Sequence, residues 1–252
     1  MSTSPAPRLP RHRAIASELA RCIESGEFAE GERLPGEWEL ARDFGVARET
    51  VRSALAQLAT RGLVERRHGV GSIVCPLRIE RSPQNIASLT EELLARGLRP
   101  GSRVSAVERR RPSAEVCASL RVGPRSVVVA VARVRLADGV VIGRQVSYIP
   151  ARFAPGIEAH IGDDVSLAHL LSSKFHLRAS EAELVITSVA ADADTAAALE
   201  CAPGSPLLRT TRVGFHADGR PFERTDGWYL PERYEYRQRQ LECSPVAARL
   251  AN

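Results

Sequence analysis

"GVARETVRSAL", residues 45–55, places Arg48 and Arg52 four apart, while Val51 and Leu55 repeat at the same interval. Paired charges at this spacing decorate many solvated helices. They also suit a helix that lies against something negative and grooved, and the flanking sequence decides between the two. The apolar repeat extends to Leu58 and stops at Gly62, which predicts a helix over about 47–61 with Val51, Leu55 and Leu58 buried. A shorter helix, about 36–44, precedes it, with Leu40 and Ala41 inward and Gly45 at its end. Residues 12–25 form another, carrying Ile15, Leu19, Cys22 and Ile23 at helical spacing before Gly26. After Gly62 come two β-biased runs, Leu63–Arg66 and Ser72–Cys75. Glycines at 69 and 71 join them, where a turn needs positive φ.

Three helices, a four-residue turn between the last two, and a hairpin describe a winged helix-turn-helix. The second helix of such a turn enters the DNA major groove. Its apolar face ties it to the domain and directs Arg48 and Arg52 outward. Arginine's planar fork matches guanine O6 and N7.

Composition sets the bounds. The chain has 252 residues, 44% hydrophobic and 26% charged, as expected of one large globular domain or two modest ones. No apolar run approaches the ~20 residues of a membrane span, and MSTSPAPRLPRHR lacks a signal-peptide core; a cytoplasmic protein with no membrane partner is expected. Five cysteines, Cys22, Cys75, Cys117, Cys201 and Cys243, lie far apart without a C-x-x-C, which argues against a disulfide framework or a metal site. The net charge of +5 is mild, and all but one of the 35 cations are arginine, which reflects genome composition rather than a nucleic-acid surface. Charge alone decides nothing.

The proline-bearing "PLRIERSPQN" reads as a seam, with a linker at 78–86 between a first domain, 1–77, and a second, 87–243, and a tail at 244–252. The second domain is strand-rich: "SRVSAVERR", "SVVVAVARVRLADG", "VVIGRQVSYIP", "AELVITSVAA" and "PLLRTTRVGFHADGRPFERTDGWYL" carry β-branched residues and D-G turns. Helical segments at about 87–96, 113–120, 166–174 and 192–200 intervene, which predicts an α+β domain on an antiparallel sheet. It holds no Gly-rich phosphate loop, no H-E-x-x-H and no G-x-S-x-G, and its histidines are scattered. Glu181 and Glu183, two apart, share one face of a strand or lie on solvent, and show no acid–base logic. No catalytic residue or cofactor is assigned, and the protein is not expected to be an enzyme.

The string "GERLPGEWELARDFGVARETVRSALAQLATRGLVERRHGVGSIV" resembles the DNA-binding domain of the GntR family of bacterial transcription regulators, over residues 12–75. The resemblance implies that Arg48 and Arg52 read bases, with Glu49, Thr50, Trp38 and Gly36 beside them. It also implies that the wing tip His68–Gly69 enters the minor groove. Three positions depart from the family pattern. Gly36 stands where a serine caps the helix and touches phosphate, and Ala47 replaces a capping serine or threonine, at a cost of about 1 kcal/mol. Trp38 stands where arginine is common; it either packs beneath the second helix or contacts the sugar-phosphate edge.

Residues 88–237 resemble the UTRA effector-binding domain of the HutC subfamily, whose fold is similar to chorismate lyase. The matching pieces are "LTEELLARGLRPG", "VVVAVARVRLADGVVIGRQVSYIP", "SLAHLL" and "DGRPFERTDGWYLPERYEYR". Arg133 and Arg135, two apart on a strand, share one sheet face. The resemblance implies that they hold an anionic effector, with Thr90 and Ser166 near helix N-termini and Gln145, Glu223 and Tyr229 around its polar body. Gln145 stands where amino-sugar-phosphate sensors carry an acid, and Ala168 where they carry tyrosine, which points away from that ligand. The expected protein is a homodimeric repressor of palindromic double-stranded operator DNA, with outer GT/AC steps, answering to a small anionic effector. The alternatives are a DNA-associated enzyme using the chorismate-lyase-like domain and a regulator with a non-functional pocket.

Overall fold

The computed structural model describes residues 10–67, 69–75 and 77–239. The first three helices fall where the apolar period places them: α1 (Arg11–Glu24), α2 (Glu37–Asp43) and α3 (Arg48–Thr60). The missing caps are real. Gly36 donates its backbone N–H to the Glu39 carboxylate at 2.9 Å but returns nothing, and Ala47 caps α3 with no side chain. The wing is an antiparallel pair, β1 (Val64–Arg67) and β2 (Gly71–Val74), in register from Val64↔Val74 to Arg67↔Gly71. Gly69 and Gly71 turn it with φ of 75° and 119°.

β3 (Ile79–Arg81) lies inside the stretch read as a linker. Beyond α4 (Leu89–Ala95) the chain builds β4 (Pro100–Arg110), α5 (Ala114–Leu120), β5 (Val128–Ala137), β6 (Val140–Pro150), α6 (Leu167–Phe175), β7 (Glu181–Ala190), α7 (Ala193–Leu199), β8 (Pro206–Phe215) and β9 (Pro221–Tyr229). The six long strands form one antiparallel sheet in the order β4-β5-β6-β9-β8-β7. β10 (Tyr234–Tyr236) returns to pair in parallel with β3. Ser88, Ser113, Ser166 and Asp192 cap the four helices of this half through their side chains. Asp138 and Gly139, with φ of 49° and 86°, make the two-residue turn between β5 and β6.

Leu167 and Leu171 of α6 cover Val129, Val131 and Ile149, while Ala196 and Leu199 of α7 pack on Val134 and Val141 across the sheet. A further core crosses between the halves: Leu55, Leu58 and Leu63 belong to one apolar cluster with Ile79, Leu89, Leu93, Ala137, Ile142, Tyr229 and Tyr234. A buried ion pair reinforces this join. Arg61, the residue after α3, meets Asp138 in the β5–β6 turn, and Asp138 also accepts the Arg99 backbone N–H at 2.9 Å.

Candidate DNA-reading face and effector pocket

Because Val51, Ala54, Leu55 and Leu58 occupy the core, α3 presents Arg48, Glu49 and Arg52 to solvent. Glu37, at the start of α2, organises the arginines. Its carboxylate accepts from Arg48 Nε at 2.7 Å and from Arg66 of β1 at 3.1 Å, and lies 3.7 Å from Arg52 Nε. The hydrogen bond from Arg48, aided by the fields of Arg52 and Arg66 against partial burial, holds the Glu37 carboxyl below its ordinary value of 4.5. Glu37 takes Arg48 by Nε, so the terminal nitrogens keep the fork that pairs with guanine. Arg52 is also 3.3 Å from Glu49. Trp38 is 72% exposed, with the Arg48 guanidinium 5.4 Å from its ring centroid, so packing beneath α2 is excluded. Thr50 is half-buried in the first turn of α3, Gly36 sits at the head of α2 and Gly69 is exposed at the wing tip. His68 lies outside the described residues.

β5 sets Arg133 opposite Gln145 and Arg135 opposite Gly143, on one face of the sheet. Both arginines are buried, Arg133 at 4% exposure. Arg135 is partly satisfied: its terminal nitrogens donate to Gln145 Oε1 and Thr90 Oγ1, each at 3.1 Å, while its Nε is buried without a partner, and the Gln145 amide donates to the Tyr229 hydroxyl at 2.6 Å. Arg133 makes no hydrogen bond or ion pair among the described residues, and its Nε is buried without a partner. Burial, then the neighbouring Arg135, pushes its pKa down to about 9, against the pull of Glu223. A guanidinium stripped of water and lacking an acceptor is what an anion relieves. Glu223, buried nearby, accepts from Thr225 Oγ1 at 3.2 Å and lies 4.0 Å from Arg212.

The floor beneath these groups is a shelf of glycines. The Tyr229 ring lies over Gly143 and Gly227, and a Cβ at either position collides with it, at 2.6 Å from Cε2 in the case of Gly227. Its other side stacks on Tyr234, ring centroids 3.9 Å apart. Arg81 of β3 donates to the Tyr234 hydroxyl at 3.3 Å and is ion-paired with Glu92. Two open clefts, of about 410 and 510 Å³, lie around Arg103, Leu136 and Gly139 outside the β5–β6 turn, away from Arg133.

The sheet therefore gathers Thr90, Arg133, Arg135, Gln145, Glu223 and Tyr229. Ser166 is engaged otherwise: its hydroxyl caps α6 through the His169 N–H at 3.3 Å and has no hydrogen bond to this group. Sequence reasoning missed Glu37 and Arg66, although Glu37 stood inside the quoted LPGE turn. It also missed Arg61 with Asp138, and Arg81 with Glu92; the first aspartate reads as a turn residue and Arg81 as part of a linker.

A winged-helix reader whose core continues into a six-stranded sheet carrying a buried arginine pair defines a class: one-component DNA-binding regulators with a sensing domain. The chain belongs to the gntR family of bacterial regulatory proteins, whose model matches residues 8–74, and the UTRA domain model matches residues 95–235. It is 31% identical to the HTH-type transcriptional repressor NagR of Bacillus subtilis over 229 residues, covering 90% of this chain and 93% of that one. It is 30% identical to the HTH-type transcriptional repressor PhnF of Mycolicibacterium smegmatis over 236 residues, covering 94% and 95%. The crystal structure of PhnF from Mycobacterium smegmatis matches with a TM-score of 0.64 at 29% identity, covering 88% of this chain and 97% of that one. The protein is a ligand-responsive transcription regulator and not an enzyme, which sets the lyase-like alternative aside. Among the described residues no helix is long and apolar enough to cross a membrane.

Proposed function

We propose that this regulator is a homodimeric repressor of palindromic operator DNA, and that a small anion entering beside Arg133 changes its affinity for the operator. Arg48 and Arg52 read bases, and Glu49, Thr50, Trp38, Gly36 and Gly69 surround the contact. The observation that carries the effector assignment is the buried, unpartnered guanidinium of Arg133 beside Arg135. β5 runs from these arginines into Asp138, which grips Arg61 at the end of α3. A ligand that rearranges Arg135 therefore acts on the strand that holds the recognition helix, and the coupling is reciprocal, on the order of 1–3 kcal/mol.

The test is a titration of duplex DNA from the gene's own upstream region, with and without inorganic phosphate and a panel of phosphorylated, phosphonate and carboxylate metabolites. Arg133→Ala combined with Arg135→Ala keeps DNA affinity and loses the response; an unaltered response overturns the assigned site. One observation favours a second reading: Arg135, Gln145, Thr90 and Tyr229 already hydrogen-bond to one another, as in a closed, non-functional pocket. If no anion in the panel shifts either the melting temperature or DNA affinity of the wild type, that reading replaces the first.

A further inference from the structure

Trp38 is the most exposed large apolar side chain among the described residues, at 72%. A single apolar residue in water is ordinary; its position here is not. It follows Glu37, whose carboxylate holds Arg48 and Arg66 and lies 3.7 Å from Arg52. The Arg48 guanidinium lies over the indole, 5.4 Å from its centroid. Glu37 at Nε and the indole over its plane thus fix this guanidinium from two sides, so ring and fork enter a groove as one unit. Leu40 and Ala41 anchor α2 from the opposite side, which keeps the ring on the reading face.

We propose that Trp38 reads the 5-methyl group of a thymine in the major groove, at the base pair next to the guanine taken by Arg48. The inference rests on the reading of Arg48 as a base contact and adds a second specificity to the same site. A fork that meets guanine O6 and N7 lies in the plane of that base pair. Successive base pairs are spaced about 3.4 Å apart, so an indole stacked on the guanidinium faces the neighbouring pair. What that pair offers decides the fit. Tryptophan has one N–H donor, an apolar ring and no acceptor. The amino group of cytosine or adenine, turned toward it, loses water and gains nothing. Guanine offers acceptors without an apolar edge. Thymine matches both parts of the side chain, its methyl against the ring and its O4 accepting from Nε1–H.

The experiment takes the duplex that the full-length protein selects from random sequence and replaces single bases with analogues that keep Watson–Crick pairing. Deoxyuridine for thymine removes only the methyl group. Wild type binds about 4-fold more weakly when one thymine in a half-site is so replaced, the worth of one buried methyl. Trp38→Ala, which leaves the far-UV spectrum unchanged, binds the thymine and uracil duplexes alike. With 5-methylcytosine at that position wild type binds more tightly than with cytosine, and the variant does not. At the adjacent guanine, 7-deazaguanine lacks the N7 acceptor and weakens both proteins, because Arg48 still reads without the indole. A uracil profile shared by wild type and Trp38→Ala overturns the methyl contact. If the 7-deazaguanine penalty then still vanishes in Arg48→Ala, the reading of Arg48 stands. If no guanine depends on Arg48, both fall. A Trp38→Ala that weakens matched and random duplexes by one factor assigns the indole N–H to phosphate and overturns the proposal. Loss of the 7-deazaguanine penalty in Trp38→Ala also overturns it, by making Trp38 a support for Arg48 alone.

Discussion

Arg48, Arg52 and Arg66 share one carboxylate at the water's edge, whereas Arg133 and Arg135 share a sheet face with no carboxylate in hydrogen-bonding range. The first group keeps its charge at little cost, because exposed ion pairs are worth about 0–1 kcal/mol and are readily exchanged for phosphate or base. The second group has given up its water and gained only neutral partners, and Arg133 none at all. The reading face holds its cations matched and accessible; the other face holds a buried cation, Arg133, with no hydrogen bond or ion pair among the described residues. Between the two stands the Arg61–Asp138 ion pair, buried, with opposite charges in direct contact.

The largest effect follows from cutting that bridge. Asp138→Ala leaves the Arg61 guanidinium buried and alone and strips the Arg99 N–H of its acceptor, so urea denaturation shows a loss of about 3–5 kcal/mol. Asp138→Asn, which keeps an acceptor, loses less. Next comes a gain. Arg133→Met replaces a stranded cation with apolar volume and stabilises the ligand-free protein by about 1–4 kcal/mol, whereas Arg48→Met stays within about 0.5 kcal/mol of wild type. A destabilised Arg133→Met would erase the contrast between the two arginine groups. Arg48→Ala and Arg52→Ala each lose about 1–3 kcal/mol of discrimination at one base pair without loss of fold, read by competition between operator variants.

The smallest effect is in acid. Glu37 has a folded pKa below 4.5, so its contribution is fully present above 4.5 and lost as pH falls through the lower folded value. Acid melting curves of Glu37→Gln therefore converge with wild type at low pH and diverge above it. Parallel curves would mean that the carboxylate does not stabilise the arginine cluster.

The reader was legible because its logic is local. Val51, Leu55 and Leu58 announce a helix by their period, and glycines at 69 and 71 announce the wing. Which way Arg48 points follows from them. The pocket was legible only through resemblance: Thr90 and Arg135 stand 45 positions apart, and no period joins them. Trp38 resisted reading because a large aromatic residue at the head of a helix is apolar enough to be buried, and only the structure shows it under Arg48 in solvent. The linker concealed a strand because Ile79–Arg81 is too short to show alternation and finds its partner at Tyr234–Tyr236. Partnerships across sequence distance, Arg61 with Asp138 above all, leave no trace in a one-dimensional pattern.

The apolar cluster that runs from Leu58 and Leu63 through Ile79 and Leu93 to Tyr229 and Tyr234 ties the melting of one half to that of the other. A reader hung on a flexible tether unfolds by itself, with its own transition temperature. Here the end of the recognition helix and the last strands of the chain are walls of the same interior, so neither half can lose its packing while the other keeps its own. Heating then produces one cooperative transition, with calorimetric and van't Hoff enthalpies in agreement.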